Sequence, residues 1–175
     1  MDIKALQRPL RERYEVDPAS APLTLTVRSA PSDLADPLHS AVTPESVDGL
    51  VWRSGAHPAV GGVGDVPCSG DLLLAALVAC QEITLRMVAT NLGIELTHVE
   101  VVAEGDWDPR GTLAMGRQYP VGLTAIRCRT TVRIAQDVDE ERAARLLRSA
   151  ERYCVVLNTL RGALEVESEF RVGSD

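Results

Sequence analysis

Aromatic side chains are scarce in this chain and make up only 3% of its 175 residues. Leu, Val and Ala must therefore fill most of the core, which a chain of this length can bury without disulfide bonds. Runs of Lys or Arg are absent as well, and the formal net charge is −7. These two features argue against a surface for duplex nucleic acid and against attraction to an anionic membrane.

Targeting and metal-binding signals are also missing. Residues 1–13 contain no apolar segment with a cleavage site, so we expect no secretory signal. The longest apolar run, residues 72–80, is too short to span a bilayer. We therefore expect a cytoplasmic protein, in which thiols stay reduced unless their oxidation is transient. The four cysteines form no C-x-x-C pair or Cys/His cluster, so the spacing predicts neither a zinc site nor a disulfide framework.

The pattern of apolar residues predicts an α+β fold with antiparallel strands. Alternation with period two predicts strands near residues 23–27, 47–53, 97–105, 124–134 and 164–172. Helical spacing predicts a largely enclosed helix over residues 71–91 and a second helix over residues 139–153. Residues 30–46 contain three prolines and several Asp and Ser, and residues 106–123 are predicted as a long loop or an irregular hairpin. Residues 1–20 are charged and predict an N-terminal arm with a short helix, followed by one domain over residues 21–175.

Two cysteines are predicted to lie on the apolar faces of the two helices. Cys80 shares the spacing of Leu73, Leu77 and Ile83 in the first helix, and Cys154 follows the apolar positions of the second. Taken alone, an inward thiol is most often inert core, because free Cys is among the most buried residue types. The same interpretation applies to Cys128 on its predicted strand.

Two further observations keep a reactive thiol open. Cys68 precedes the first helix, whose positive end would lower the pKa of a thiol. A reactive Cys80 would instead need a cation or hydrogen-bond donor, which Arg28 or Arg53 could supply through tertiary packing.

The sequence resembles a known family at two separated motifs. Residues 69–80, SGDLLLAALVAC, followed by ITLRM at 83–87, are similar to the central helix of the OsmC/Ohr family, the osmotically inducible and organic-hydroperoxide-resistance proteins. The second motif is Cys154 followed by Asn158-Thr159-Leu160. The resemblance covers roughly residues 47–172, with both motifs in the order typical of the family.

This resemblance implies an intertwined homodimer with antiparallel sheets around two central helices and active sites at the subunit interface. It also implies a cofactor-free, stress-response thiol peroxidase that reduces organic hydroperoxides. Cys80 would then be the peroxidatic thiolate and Cys154 the resolving thiol. Oxidation would produce a sulfenic acid and then a disulfide, which an external dithiol reduces.

The chain departs from the family pattern at two positions. Gly70 stands where the hydroperoxide-resistance branch usually carries a Glu that holds a catalytic Arg, and Val155 replaces the Pro that usually follows the second Cys. Two alternatives therefore accompany the peroxidase hypothesis. One is a non-catalytic dimer that binds a small apolar or thiol-reactive ligand, and the other is a structural dimer with inert thiols.

Overall fold

A computed structural model describes residues 2–135, 137–162 and 164–173 of the chain. Five α-helices, two short 3-10 helices (Pro18–Ser20 and Pro58–Val60) and five strands are defined in this part. The helices are α1 (Ile3–Val16), α2 (Ser69–Leu92), α3 (Pro109–Thr112), α4 (Glu140–Tyr153) and α5 (Val155–Arg161). The strands are β1 (Val27–Ser29), β2 (His39–Pro44), β3 (Trp52–Gly55), β4 (Leu96–Asp106) and β5 (Ala125–Ile134). The mixed α+β architecture agrees with the sequence pattern.

The strands form two separate antiparallel sheets. β1, β2 and β3 make a three-stranded sheet in that order. β4 and β5 form ten residue pairs, from Leu96 with Ile134 to Asp106 with Ala125. β2 lies within residues 30–46, a segment with three prolines in which the sequence pattern indicated no strand. The predicted strand at 23–27 shrinks to the short β1, whose pairing begins only at Val27.

The central helix α2 has the ends that the sequence predicts. The Asp71 carboxylate accepts a hydrogen bond from the backbone N–H of Cys68 at 2.9 Å, which satisfies one free donor at the start of the helix. Gly93 ends the helix in the left-handed region, with φ 63°, which glycine adopts without strain. By length and apolar composition α2 could cross a membrane, a test that core helices of soluble proteins also pass. It packs here against β4, α4 and α5.

The buried face of α2 differs from the predicted one. Leu77, Gln81, Leu85 and Ala89 are buried at four-residue spacing, whereas Leu73 and Ile83 are 41% and 56% exposed. The core lies at the C-terminal half of α2, where a cluster joins α2 to α4 and to the β4–β5 sheet; its members are Leu85, Ala89, Ile94, Leu146 and Ala150. α2 therefore presents part of its apolar surface, including Leu73 and Ile83, to solvent in the single chain.

The C-terminal segment forms no strand among the residues described at 164–173, so the predicted last strand is not present in the single chain. The apolar side chains of this segment are therefore strongly exposed to solvent; they are Leu164, Val166, Phe170 and Val172. A short helix, α5, occupies the segment between α4 and this tail. This helix was missed because seven residues are too few for a clear helical period.

Candidate active site

Cys154 lies at the break between two helices rather than inside one. It is the last cap of α4 and the first cap of α5, with an extended backbone at φ −72° and ψ 105°. The side chain is fully buried, at 0% exposure. The sequence placed Cys154 on the face of the second helix; burial was predicted correctly, but the helix ends at Tyr153, one residue earlier.

The side chain of Asn158 holds this break in place. Its amide nitrogen donates to the backbone carbonyls of Glu151 at 3.2 Å, Arg152 at 3.1 Å and Cys154 at 2.8 Å. The carbonyls of Glu151 and Arg152 lie in the last turn of α4 and have no partner within that helix. The Cys154 carbonyl also accepts the backbone N–H of Asn158. Asn158 thus stops α4, starts α5 and fixes the position of Cys154. The motif included Asn158, but its role as a cap follows only from the structure.

Cys80, in the middle of α2, faces the start of α5. Burial raises the pKa of its thiol, yet hydrogen bonds outweigh this effect and leave the pKa below its ordinary value. The donors are the backbone N–H of Val156, the thiol of Cys154, the backbone N–H of Val155 and the hydroxyl of Thr84. Hydrogen bonds of this kind favour the charged form of an acid, so Cys80 is the sulfur that holds negative charge more easily.

The neighbouring thiols show the opposite tendency. Burial raises the pKa of Cys154, and its proximity to Cys80 and Cys128 adds to the increase, against the backbone N–H of Leu157. Burial also raises the pKa of Cys128, on the inward face of β5. All of these cysteines are free thiols. The site therefore pairs a sulfur that favours the thiolate with one that stays protonated and can donate to it.

The cations considered from the sequence do not reach Cys80 in the single chain. Arg28 pairs with Glu45, on the three-stranded sheet. Arg53 lies close enough to Asp65 to affect its pKa, lowering it. None of the groups that lower the pKa of Cys80 is a cation. Neutral hydrogen-bond donors therefore provide the stabilisation in the part of the chain that the structure describes.

The other predicted thiol, Cys68, stands apart from this pair. It caps the start of α2, twelve positions before Cys80, which corresponds to a rise of about 18 Å along the helix. His57 lies nearer to Cys68, lining the same cavity, but its Nδ1 accepts the backbone N–H of Ala59 at 3.0 Å and its ring packs edge-on against Trp107. Across the described residues, no group of three His, Cys, Asp or Glu side chains is placed to hold a metal ion.

A cavity of about 520 Å³ lies between α1, α2 and α4, and neither Cys80 nor Cys154 is among the described residues that line it. Thr84, which donates to Cys80, lines this cavity, as does Tyr153, the neighbour of Cys154. Met87 and Val88 supply apolar wall, and Arg11 and Arg145 also line the cavity. The cavity has a size typical of small-molecule sites.

Comparison with known proteins gives the fold and the family. The OsmC-like protein pattern matches residues 62–169. An OsmC-like protein from Mycoplasma pneumoniae shares the fold with a TM-score of 0.62 at 15% identity, covering 81% of this chain and 89% of that one. An organic hydroperoxide resistance protein from Elizabethkingia anophelis has a TM-score of 0.58 at 18% identity, with 83% and 93% covered.

An OsmC-like protein of unknown function from Vibrio cholerae has a TM-score of 0.61 at 12% identity, covering 79% of this chain and 94% of that one. No curated protein matches the sequence. At these identities the solved structures show a shared fold, and the family pattern covers more than half of the chain. The chain belongs to the OsmC-like family.

Proposed function

We propose that this protein is a cytoplasmic thiol peroxidase that reduces organic hydroperoxides without a cofactor. The main observation in support is the proximity of two thiols with opposite tendencies: surrounding donors leave the pKa of Cys80 lowered, whereas burial raises the pKa of Cys154. A thiolate is the reactive form of cysteine. Solved relatives with this fold include proteins described as organic hydroperoxide resistance proteins.

In the proposed reaction the Cys80 thiolate attacks the outer oxygen of the hydroperoxide. The O–O bond breaks, the substrate leaves as an alkoxide that takes a proton and becomes the alcohol, and Cys80 becomes a sulfenic acid. The Cys154 sulfur then attacks the Cys80 sulfur, releasing water and forming a disulfide. An external dithiol reduces this disulfide by two exchange steps and is itself oxidised.

The cavity beside the thiols suits an organic substrate. Thr84 connects the Cys80 sulfur to a wall that includes Met87 and Val88. An alkyl or aryl group would bury its apolar surface there, with the peroxide group on the side of Thr84, whose hydroxyl contacts the Cys80 sulfur. Hydrogen peroxide would gain nothing from this wall, so we expect it to react more slowly than an apolar hydroperoxide.

We further propose that two copies of the chain form a homodimer. Leu73 and Ile83 of α2 are exposed in the single chain, and so are Phe170 and Val172 in the tail. A soluble protein rarely leaves apolar residues of this number in contact with water. Size-exclusion chromatography with light scattering should give twice the chain mass, and Leu73→Glu should shift the protein towards a monomer. A wild-type monomer would contradict this proposal.

Consumption of cumene hydroperoxide with dithiothreitol tests the enzymatic function. Cys80→Ser should abolish turnover, and Cys154→Ser should leave a sulfenic acid on Cys80 that dimedone traps. Cys128→Ser is the matched control and should retain turnover. Unchanged turnover in Cys80→Ser would exclude the mechanism. Absent turnover in the wild-type protein, combined with saturable ligand binding, would favour the non-catalytic alternative.

A further inference from the structure

The loop that joins β3 to α2, residues 56–66, forms one wall of a further cavity. This cavity has a volume of about 390 Å³ and lies at the start of α2, where neither thiol of the proposed pair lines it. His57 and Val60 belong to the loop side of the wall. Trp107 lines the cavity as well, with its ring edge-on against His57 at 5.5 Å between centroids. A movement of the loop would therefore change the shape of the cavity.

His39, on β2, connects this loop to the segment before β2. Its Nδ1 lies 2.7 Å from Oδ2 of Asp36, and its Nε2 lies 2.9 Å from Oδ1 of Asp65, which belongs to the 56–66 loop. Among the described residues, the contact with Asp65 is the only side-chain hydrogen bond that joins residues 56–66 to a residue outside the loop. The Ala56 backbone N–H, which donates to the Leu38 carbonyl at 2.8 Å, fastens the start of the loop.

The two carboxylates decide the charge that His39 needs in this arrangement. An ionised carboxylate only accepts hydrogen bonds, and a neutral imidazole has one N–H donor and one lone pair. Contacts from both ring nitrogens to carboxylate oxygens therefore require the protonated, positively charged ring. The hydrogen bonds to Asp65 and Asp36 accordingly raise the pKa of His39 above its ordinary value of 6.5.

Loss of the proton leaves His39 with one donor, and the two carboxylates are not equally easy to give up. Asp36 is the closer one, and its other oxygen already accepts the Leu38 backbone N–H at 2.9 Å. Asp65 has another charge beside it, because Arg53 of β3 also acts on it electrostatically. A neutral Nε2 would direct its lone pair at the Asp65 carboxylate, and the two would repel each other. We propose that protonated His39 holds the 56–66 loop against β2, and that loss of the proton releases Asp65 and loosens this wall of the cavity.

Amide hydrogen exchange measured by NMR across a range of pH tests the proposal. The reporters are the Ala56 N–H and the Gly62 N–H, which donates to the His57 carbonyl at 3.1 Å. Their protection factors, corrected for the intrinsic pH dependence of exchange, should fall by about threefold to tenfold as pH rises, the range expected for one hydrogen bond. The midpoint of the fall should coincide with the titration of the His39 ring signals, and not with that of the His57 ring in the same samples.

Matched variants identify the groups responsible. His39→Gln keeps one hydrogen-bond donor without a titrating proton and should remove the pH response. Asp65→Asn should remove it as well, whereas Asp48→Asn makes the same change at an exposed position between β2 and β3 and should leave it intact. Protection that does not follow His39 titration in the wild type would overturn the proposal, as would a response that persists in His39→Gln or equal effects of the two Asp→Asn variants. The wild-type titration decides the question even if a variant does not fold.

Discussion

Replacement of Val155 by proline tests the contribution of one backbone N–H to the pKa of Cys80 without disturbing the fold. The Val155 N–H is one of the groups that lower the pKa of Cys80, and proline has no N–H. Proline also suits the first position of a helix, which Val155 occupies in α5. The preceding residue, Cys154, already has an extended backbone with ψ 105°, as a residue before proline requires. The variant should therefore fold and lose a single donor.

The size of the effect follows from the geometry. A hydrogen bond to an ionised group contributes about 1.5–3 kcal/mol. Cys80 is only partly buried, and the Val156 N–H and the Thr84 hydroxyl remain in place, so the lower end of this range applies. A loss of about 1.4 kcal/mol corresponds to roughly tenfold less thiolate at neutral pH. Alkylation of Cys80 by iodoacetamide should slow by the same factor.

Mass spectrometry of the Cys80 peptide measures this rate across a range of pH. Val155→Ala is the matched control, because it keeps the N–H and removes a side chain that is 70% exposed. The rates of the two variants should converge at alkaline pH, where Cys80 is fully ionised in both. Identical pH profiles for Val155→Pro and Val155→Ala would refute the role assigned to the Val155 N–H. Slow alkylation of both would assign the effect to the side chain instead.

Three further predictions concern stability. Hydrogen bonds from His39 to Asp65 at 2.9 Å and Asp36 at 2.7 Å raise the pKa of His39 and lower that of Asp65. These hydrogen bonds should stabilise the folded protein at mildly acidic pH. The stabilisation should decline as pH rises through the His39 pKa, and also as pH falls through the Asp65 pKa. A His39→Gln variant whose melting temperature kept this pH dependence would contradict the prediction. Asn158→Leu should lower the free energy of unfolding by about 1–2 kcal/mol and slow formation of the Cys80–Cys154 disulfide, and equal disulfide rates would exclude the positioning role. Leu146→Ala, at a site 1% exposed, should lower the free energy of unfolding by about 2–5 kcal/mol in urea titrations, and a loss below 1 kcal/mol would show that the core collapses around the gap.

The elements with a long, regular apolar pattern were predictable from the sequence. The ends of α2, the alternation of β5 and the extent of α4 all follow from local pattern and capping. The short β2 and α5 were not predictable, because their positions are set by pairing and packing rather than by their own periods. The predicted last strand has a clear alternating pattern but no neighbour in a single chain to pair with.

The two cysteines of the candidate site could be singled out from the sequence, but the groups that lower the pKa of Cys80 could not. The motifs singled out Cys80 and Cys154, and the structure brings their thiols within hydrogen-bonding reach. From the sequence, a cation was expected near Cys80, whereas the structure places backbone N–H groups of α5 there. Every residue except proline has a backbone N–H, so this role has no signature in the sequence. The buried face of α2 was misjudged for a related reason: a helix that is apolar on all sides gives no periodicity to show which side faces the core.

The location of Cys154 between α4 and α5 gives the proposed reaction a mechanical consequence. A disulfide between Cys80 and Cys154 would link the middle of α2 covalently to the junction of α4 and α5. It would also close the chain between residues 80 and 154 into a loop. A crosslink that closes a loop of this length stabilises a folded protein by about 4 kcal/mol, chiefly by restricting the unfolded chain. In each turnover the protein would therefore alternate between a less stable reduced form and a more stable disulfide-linked form. The free energy of unfolding would then report the redox state of the protein.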